Sequence, residues 1–348
     1  GDDSCKATHG IVHPCEVFRS TRCCKDVATV RKNEYVNLPV ICLVGPTASG
    51  KSGLAVRVCR RLYVDEHPAE IINTDSMVVY RGMDIGTATP TLREQRTVVH
   101  HLVSILDVTV PSSLVLMQTL ARDAVEDCLS RGVIPVLVGG SALYTKAIID
   151  EMSIPPTDPE VRARWQEKLD AEGPRVLHDE LARRDPKAAE SILPGNGRRI
   201  VRALEVIDLT GSFTATIPDG TLHWPKTVQM GLELSRKDID QRIADRVDQM
   251  WAYGFVDEVR SLANVGLREG LTASRALGYR QVLEYLNGDY DEDEARRRTI
   301  IGTRRFARKQ LMWYRRDDRI EWFNALAPDL DDRVVARVLT ALTTDEED

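Results

Sequence analysis

The sequence predicts an α/β fold, in which a doubly wound parallel sheet carries an inserted all-helical domain. Three observations lead to this fold class. Short apolar runs alternate with helical patterns along most of the chain. A glycine-rich loop follows the first apolar run directly and is itself followed by a helical pattern. Residues 139–226 then carry helical patterns without a clear strand, as expected of a helical insertion.

The expected strands are short and mostly apolar, which is typical of parallel strands that are covered on both faces. They lie at residues 39–44, 69–74, 101–106, 133–138, 227–234 and 319–323. Apolar residues at helical spacing, such as Leu54, Val58 and Leu62, indicate the connecting helices. These are expected at residues 52–63 and 113–131, and in the insertion at 159–171, 174–184 and 197–210.

Proline and glycine residues delimit the insertion. Pro155-Pro156 opens it and Pro218-Asp-Gly220 closes it. We therefore expect a discontinuous core domain at residues 38–153 and 226–344, and a helical insertion at residues 154–225.

The composition excludes several classes of protein. A chain of 348 residues with 43% apolar content can bury one large core, or one core and a smaller domain. Neither a long apolar run nor a secretory signal pattern occurs, so we expect a cytoplasmic protein without a membrane span. Seven cysteines then suggest free thiols. Four of them fall within residues 1–37, where we expect a disordered extension.

The net charge of −6 is unusual for a nucleic-acid partner, but the basic residues are clustered. The segment from Arg296 to Arg319 contains ten basic residues and two acidic ones. Arg198, Arg199 and Arg202 form a second cluster. A local basic face can attract a polyanion even on an acidic protein, and a solvated helix face is the simpler alternative.

The loop from Gly45 to Ser52 (GPTASGKS) fits the phosphate-binding pattern G-x-x-x-x-G-K-[ST] at every fixed position. Its backbone N–H groups and the positive end of the next helix would point at a polyphosphate. Lys51 adds a mobile positive charge, and Ser52 offers a hydroxyl to Mg²⁺. The alternative is a glycine turn that only links a strand to a helix. The strand and helix on either side favour the binding loop, so the core is predicted to be P-loop NTPase-like.

The second expected strand leads directly into Asp75. Ligands of open α/β sheets bind at the carboxyl ends of the strands, so Asp75 is expected near the phosphate-binding loop. A helix cap or turn residue is the alternative role. P-loop ATPases need an acid that binds Mg²⁺ at the end of another strand. The strand at 133–138 leads instead into Gly139-Gly140-Ser141, which contains no acid. A single acid favours a transferase in which Asp75 accepts a proton from the attacking group.

Longer motifs resemble the tRNA dimethylallyltransferase family, in the order in which that family carries them. They are GPTASGKS, NTDSMVVYRGMDIGTATP, HHLVSILDV, PVLVGGSALYTKA, DPEVRAR, NGRRIVRALEV, RALGYRQVLEYL and TRRFARKQLMWYRRD. The resemblance covers residues 38–325. It implies a prenyltransferase that moves a dimethylallyl group from dimethylallyl diphosphate to N6 of the adenosine immediately 3′ of the anticodon. The implied substrates are tRNAs that read codons beginning with U, and the implied cofactor is Mg²⁺.

The resemblance also implies roles for individual residues. Asp75 would be the general base, and Lys51, Ser52 and Mg²⁺ would stabilise the departing diphosphate, with Asp75 as a further candidate ligand of the metal. The diphosphate would lie in the loop formed by Gly45, Pro46, Thr47, Ala48, Ser49, Gly50, Lys51 and Ser52. The anticodon stem-loop of the tRNA would contact Asp75, Ser76, Met77, Val78, Ser141, Arg162, Arg198, Arg199, Arg202, Arg275, Gly278, Tyr279 and Arg280.

Simpler roles stay open for several of these residues. The alternative for Ser141 is a helix N-cap, for Arg162 a surface ion pair, and for Tyr279 a core position. Trp313, which lies among arginines, either stacks on bases or belongs to the core.

Other classes of protein share parts of the pattern. A nucleotide kinase has the same loop and sheet, but it needs ATP and an arginine-rich lid that the insertion does not resemble. An enzyme that prenylates free adenine nucleotides shares the loop and Asp75, but its bacterial forms lack the helical insertion. A noncatalytic RNA-binding protein would not need Lys51, Ser52 and Asp75 together. We therefore expect a tRNA-modifying prenyltransferase that acts as a monomer.

Overall fold

The computed structural model describes residues 38–213 and 220–343 of the chain. The extension expected at residues 1–37 and Pro218, at the start of the closing turn, lie outside the described residues. Within the described ranges, no helix is both long enough and apolar enough to cross a membrane.

Six parallel strands form one sheet in the order β3-β2-β4-β1-β5-β6. The strands are β1 (Val40–Val44), β2 (Ala69–Asn73), β3 (His100–His101), β4 (Ile134–Gly139), β5 (Thr227–Glu233) and β6 (Ile320–Asn324). The two central strands, β1 and β4, are buried along their whole length, which explains why their sequences are continuously apolar. The parallel α/β sheet predicted from the sequence is confirmed.

The third strand is shorter than the sequence predicts. The apolar run suggested residues 101–106, whereas β3 contains only His100 and His101. The backbone leaves the extended conformation at Leu102 and Ser104, where φ is +61° and +51°. The carbonyl oxygen of Leu102 accepts a hydrogen bond from the Asn73 side chain at 3.0 Å. The apolar residues that follow β3 therefore belong to a packed loop at the edge of the sheet.

Thirteen α-helices lie within the described ranges. They are α1 (Lys51–Val64), α2 (Leu92–Thr97), α3 (Leu114–Ser130), α4 (Ala142–Ile149), α5 (Pro159–Glu172), α6 (Pro174–Arg184), α7 (Pro186–Ser191), α8 (Gly197–Thr210), α9 (Arg236–Ala252), α10 (Phe255–Ala263), α11 (Tyr279–Leu286), α12 (Glu292–Tyr314) and α13 (Leu330–Thr343). Helices α1 and α13 share one apolar core with the strands, in which Leu54, Val58 and Val334 are fully buried. Burial of each such side chain stabilises the fold by roughly 1.5–3 kcal/mol, so this layer fixes the helix that follows the phosphate-binding loop.

The strand register brings three loops to the same edge of the sheet. Val44 pairs with Gly139, and Asn73 pairs with Val138. The loops that begin at Gly45, Thr74 and Gly140 therefore leave the sheet side by side. Ligands of open α/β folds bind at this edge, and both sequence-predicted functional loops lie there.

The described residues form two compact units. The first contains the sheet and consists of residues 38–112, 120–142 and 226–343. The second is helical and consists of residues 113–119, 143–213 and 220–225. The helical unit therefore begins before residue 154, the predicted boundary, because most of α4 and the first residues of α3 belong to it.

The helical unit has its own apolar core, made mainly by α6 and α8, with Leu177, Leu181 and Ile200 fully buried. Local sequence signals set the helix ends. Asp158 caps α5 by accepting hydrogen bonds from two backbone N–H groups, and Pro159 occupies the first turn. The helical patterns predicted from the sequence correspond to α5, α6 and α8 within two residues at each end.

One buried carboxylate, Glu205 of α8, joins α8 to α5. It accepts hydrogen bonds from the Thr157 hydroxyl at 2.7 Å and from the Asp158 backbone N–H at 2.9 Å. The guanidinium groups of Arg162 and Arg202 each donate to it at 2.8 Å. Burial favours the neutral acid, but these donors outweigh that effect and lower the pKa of Glu205. The contacts between α5 and α8 thus depend on one ionised side chain.

We expect Glu205→Ala to destabilise the helical unit by about 2–4 kcal/mol, because two arginines and a backbone N–H lose their shared acceptor. Urea unfolding gives the free energy, and hydrogen exchange of α5 and α8 locates the effect. Glu167→Ala removes an exposed carboxylate from α5 and serves as the control. Equal stabilities for the two variants would contradict this role of Glu205.

Candidate active site

The phosphate-binding loop connects β1 to α1. Gly50, at the N-cap position of α1, has a φ of +91°, which glycine adopts without strain. Among the described residues no side chain caps this helix, so its first-turn N–H groups are left for another acceptor. A phosphate oxygen is an acceptor well suited to a helix N-terminus.

Ser49 supports the same interpretation of the loop. Its side chain is 2% exposed, and its hydroxyl has no hydrogen-bond partner among the described residues. An unsatisfied buried hydroxyl costs about 1–3 kcal/mol, which a phosphate oxygen would offset. The backbone N–H of Ser49 and the ammonium of Lys51 both donate to the carbonyl oxygen of Pro46, at 3.2 and 3.1 Å. The loop is thus preformed, with Lys51 folded back over it.

Two arginines of α9 also reach the loop. Arg242 donates to the carbonyl oxygens of Ala48 and Ser49, both at 3.4 Å. Arg246 donates to the hydroxyl of Thr47 at 3.3 Å. These side chains add two positive charges that the sequence analysis did not assign to the site.

The electrostatic field of the loop favours an anion. Burial lowers the pKa of Lys51 from 10.5 to about 8. The negative charge of Asp75 raises this pKa and the positive charge of Arg246 lowers it further, but both effects are smaller than that of burial. Burial also lowers the pKa of Arg246, again opposed by Asp75. A bound diphosphate would relieve both cations, since opposite charge stabilises the protonated form.

The side chain of Gln310, on α12, ties the loop to the end of β4. Its Oε1 accepts a hydrogen bond from the Thr47 backbone N–H at 2.9 Å, and its Nε2 donates to the Gly140 carbonyl oxygen at 2.6 Å. A Cβ at position 140 would lie 2.5 Å from that Nε2 and 3.5 Å from the Lys51 ammonium nitrogen. A larger residue at position 140 would displace the Gln310 amide, so glycine preserves the hydrogen bond that this amide donates to the backbone.

Asp75 lies next to these groups, in a turn organised by Asn73. The Asn73 side chain accepts from the Asp75 backbone N–H and donates to the Asp75 carbonyl oxygen, both at 2.9 Å. One carboxylate oxygen of Asp75 accepts from the Met77 backbone N–H at 2.8 Å. Asp75 is therefore a turn residue, which was the alternative to a role in the site. The two roles are compatible, because the carboxylate is half-exposed and only one of its oxygens accepts that hydrogen bond. Ser76, Met77 and Val78 are also half-exposed, as a substrate contact requires.

The segment that follows is held by Glu258 of α10. Its carboxylate accepts from the backbone N–H groups of Asp84, Ile85 and Gly86, at 3.1, 2.7 and 3.3 Å. The Tyr279 hydroxyl donates to the same carboxylate at 2.6 Å. A carboxylate surrounded by donors in this way is well stabilised, so Glu258 fixes the loop beyond Asp75.

Tyr279 was one of the residues expected to contact tRNA, and the structure places it in the core instead. Its ring is fully buried beside Phe255 and Gly86, and its hydroxyl is bound by Glu258. Burial and the charge of Glu258 raise the pKa of Tyr279 well above its usual value. Its neighbours Arg275 and Arg280 are exposed and remain candidates for contact with RNA.

Two of the four arginines expected on the helical unit also have different surroundings from those predicted. Arg162 and Arg202 both bind the buried Glu205, and Arg202 donates further to the carbonyl oxygens of Pro155 and Pro156. Both guanidinium groups thus form ion pairs with Glu205 inside the helical unit. For Arg162 this is the ion-pair role that was the alternative to RNA contact. Arg198 and Arg199 are exposed on the first turn of α8.

A second cluster of chemically reactive side chains lies at the other end of β2. Glu70, His101 and Cys128 have donor atoms within 4.8 Å of one another. Arg131 donates to both carboxylate oxygens of Glu70, at 2.8 and 2.6 Å. Burial, followed by the charge of Glu70, raises the pKa of Cys128 to about 12, so its thiol stays protonated. This arrangement is an ion-pair network at the sheet edge.

Sequence reasoning missed Arg246, Gln310 and Glu258. Arg246 and Thr47 are separated by 199 positions and Gln310 and Thr47 by 263, so no local pattern connects them. Gln310 lies within the TRRFARKQLMWYRRD motif. That motif predicted a helix, but it did not predict that Gln310 contacts the phosphate-binding loop. Such residues are identified only once the fold brings them to the loop.

A parallel sheet with a phosphate-binding loop, three cations at that loop and the adjacent Asp75 carboxylate are the features of a P-loop α/β enzyme. The family model described as IPP transferase matches residues 78–317, and the chain belongs to that family. A relative named tRNA dimethylallyltransferase from Thermobifida fusca is 54% identical over 300 residues, covering 86% of this chain and 94% of the relative. The corresponding relative from Kineococcus radiotolerans is 55% identical over 292 residues, covering 83% and 92%.

Solved structures agree with this assignment. The tRNA isopentenylpyrophosphate transferase of Bacillus halodurans is 36% identical, has a TM-score of 0.64, and covers 87% of this chain and 96% of its own. A eukaryotic dimethylallyltransferase acting on tRNA has a TM-score of 0.73, with 89% and 81% covered. At 23% identity this second structure supports the fold alone.

We expect the affinity for inorganic diphosphate to fall as the pH rises through about 8, approaching tenfold per pH unit, because Lys51 loses its proton there. Lys51→Arg keeps its charge, so its affinity profile should be flatter over the same range. Isothermal titration calorimetry from pH 7 to 9.5 measures both profiles. The titration of the ligand itself is common to the two proteins, so parallel profiles would mean that Lys51 does not control binding.

Proposed function

We propose that the protein transfers a dimethylallyl group from dimethylallyl diphosphate to N6 of the adenosine 3′ of the anticodon, in tRNAs that read codons beginning with U. The products are N6-isopentenyladenosine and diphosphate. The observation that carries the proposal is the Asp75 carboxylate beside a loop that three cations contact and whose buried Ser49 hydroxyl has no hydrogen-bond partner among the described residues. The names of the relatives support the same reaction.

The phosphate-binding loop makes diphosphate a good leaving group. N–H groups of the first turn of α1, the Ser49 hydroxyl and the Lys51 ammonium are positioned to bind the oxygens that gain charge as the C–O bond breaks. Arg246 adds charge from the Thr47 side of the loop. Removing one such donor from a site of this kind typically costs about 2.7–4 kcal/mol of transition-state stabilisation.

Mg²⁺ is the metal that these residues fit. The exposed Ser52 hydroxyl and the carboxylate of Asp75 are hard oxygen donors of the type that Mg²⁺ prefers beside phosphate groups. When bound, the ion would neutralise charge on the diphosphate.

Asp75 acts on the acceptor. The exocyclic N6 of adenine is a weak nucleophile that must lose a proton as its bond to the allyl carbon forms. The carboxylate oxygen of Asp75 takes that proton, and the adjacent half-exposed Ser76, Met77 and Val78 contact the base. Ser141, at the end of β4, faces the same edge of the sheet. Nucleotides of an anticodon loop are unpaired, so presenting the base costs only a few kcal/mol.

A macromolecular acceptor is favoured over a free nucleotide. The helical unit presents Arg198 and Arg199 to solvent, and the sheet unit presents Arg275 and Arg280. Exposed arginines of this kind suit RNA phosphates, whereas a free nucleotide would not need a separate helical unit. We propose that the enzyme works as a cytoplasmic monomer.

The decisive experiment is mass spectrometry of nucleosides from unmodified tRNA after incubation with the protein, Mg²⁺ and dimethylallyl diphosphate, with AMP as a parallel acceptor. A gain of one C5H8 unit on adenosine in the tRNA alone supports the proposal. A gain on AMP alone would assign the protein to the enzymes that prenylate free nucleotides. No gain on either would overturn the proposal, and ATP turnover would then be the next measurement.

Asp75→Asn should lower kcat by a factor on the order of 10² to 10⁴, because the amide cannot accept the proton from N6. The amide oxygen can still accept from the Met77 N–H, so the turn should remain. Asp84→Asn changes an exposed carboxylate of the neighbouring segment and should keep normal turnover. Turnover by Asp75→Asn within a few-fold of the wild type would exclude Asp75 as the base.

Replacing Arg198 and Arg199 together by Gln should weaken tRNA binding and reduce its logarithmic salt slope by about one to two units. Fluorescence anisotropy at several salt concentrations measures the slope. The pair Arg175→Gln and Lys187→Gln removes the same charge from other exposed sites of the helical unit. Equal slopes for the two double variants would mean that Arg198 and Arg199 make no specific phosphate contact.

A further inference from the structure

Three side chains of the kinds that bind metal ions meet at the end of β2 opposite Asp75. Within residues 38–213 and 220–343, Glu70, His101 and Cys128 are the one group of at least three His, Cys, Asp or Glu residues whose donor atoms all lie within 4.8 Å of one another. They come from three different elements, since Glu70 lies on β2, His101 on β3 and Cys128 on α3. A thiol, an imidazole and a carboxylate together are a donor set typical of zinc.

The distances between the donor atoms are close to those of a four-coordinate site. Sγ of Cys128 lies 3.5 Å from Oε2 of Glu70 and 3.8 Å from Nε2 of His101. Zinc bonds of about 2.0–2.3 Å at tetrahedral angles put donor atoms about 3.3–3.6 Å apart. Nε2 of His101 lies nearer to Oε2 of Glu70, at 2.6 Å, because these two atoms share a hydrogen bond. A bound ion therefore needs this one distance to widen, by about 0.7 Å.

A positively charged group already lies against two of the three donor atoms. Nη2 of Arg131 is 2.6 Å from Oε2 of Glu70 and 3.7 Å from Sγ of Cys128. The guanidinium can leave this position without becoming an unpaired charge, because it is partly exposed and also binds Asp127 at 2.8 Å. The side chains of Glu70 and His101 are 13% and 24% exposed, so an ion from solvent can reach them. The cluster thus contains a place for a cation, which Arg131 fills in this structure.

We propose that Glu70, His101 and Cys128 bind one Zn²⁺ ion, with Arg131 displaced toward Asp127 and a water molecule as the fourth ligand. The S–H bond of Cys128 breaks as the Zn–S bond forms, and its proton passes to the solvent. Nε2 of His101 gives up its hydrogen bond to Glu70, and the neutral ring then carries its proton on Nδ1. The site is separate from the phosphate-binding loop, so the inference does not depend on the proposed function.

The bound ion would join three elements at one edge of the sheet. β3 is an edge strand of two residues that pairs with β2, and β2 leads to Asp75. Zn²⁺ would fasten β3 and α3 to β2 through side chains, in addition to the short backbone ladder. A ligand that binds only the folded state stabilises it, so Zn²⁺ should raise the Tm of the protein.

The test titrates the whole chain with Co²⁺, which replaces Zn²⁺ in such sites and gives a charge-transfer absorption band when a thiolate binds it. Excess Mg²⁺ occupies sites built from oxygen ligands alone. Cys128→Ser should remove the band. Cys59→Ser removes a thiol that is equally buried but lies outside the cluster, so it should keep the band. The cysteines of residues 1–37 are common to all these proteins, so only the absorption lost in Cys128→Ser is assigned to the cluster.

Two further variants change the affinity for Zn²⁺ in opposite directions, as measured by competition against Co²⁺. His101→Gln can still donate to Glu70 but lacks the ring nitrogen. Its affinity should fall more than about 100-fold, since losing a group that merely orients a metal ligand costs about 10- to 100-fold. Arg131→Gln removes the competing guanidinium and should raise the affinity. An ion-pair network without a metal role predicts neither change.

Thermal unfolding of each variant, with and without Zn²⁺, verifies that it is folded and measures the shift in Tm. If the wild type gives no thiolate band, or if His101→Gln keeps the band and the wild-type affinity, the inference is overturned. His101→Gln decides the question by itself if Cys128→Ser does not fold. None of these measurements uses prenyl transfer, so failure of the proposed function would leave the zinc site standing, and the reverse also holds.

Discussion

The site depends on one constraint, which is that the carboxyl ends of β1 and β4 must be joined at a fixed distance. Gln310 provides this link by satisfying a backbone N–H of the phosphate-binding loop and the carbonyl oxygen of Gly140 with one side chain. Both ends of that amide are buried, so losing it would leave polar groups unpaired at a cost of about 1–3 kcal/mol each. The same residue ties α12 to the phosphate-binding loop and to Gly140.

Charge is distributed unevenly around this link. Lys51, Arg242 and Arg246 reach the loop from two different helices. Burial lowers the pKa of Lys51 and of Arg246, and the negative charge of Asp75 partly offsets that effect. A hydrolase would use a second acid at the end of a neighbouring strand. Here that position is Gly139-Gly140, which admits the Gln310 amide instead. The glycine pair thus makes room for the side chain that holds the loop, and it leaves the role of base to Asp75 in the proposed reaction.

The sequence predicted the parts of the structure that depend on short segments. The phosphate-binding loop, β1, β2, β4 and the helices of the insertion follow from local patterns, and Asp75 lies where strand topology requires. The strand at 101–106 was wrong because a buried loop and a buried strand share the same apolar pattern. Glu205 lies three positions from Arg202 on α8, but the sequence did not show that its carboxylate is buried. The contacts of Tyr279 with Glu258 and of Arg162 with Glu205 were not anticipated because they join positions 21 and 43 residues apart. Arg246 and Gln310 were missed for the same reason.

The burial of the cations around the loop has a consequence for the order of events after catalysis. In the proposed reaction, the diphosphate carries more negative charge after the allyl group has left than it did as an ester. The groups that attracted the donor, Lys51, Arg246 and the Ser49 hydroxyl, then hold the by-product at least as strongly. Under the proposed function, release of diphosphate would return two cations to a buried and poorly hydrated state, so we expect it to be a slow step after the chemistry. Accumulated diphosphate would then compete with the next donor molecule for the same loop.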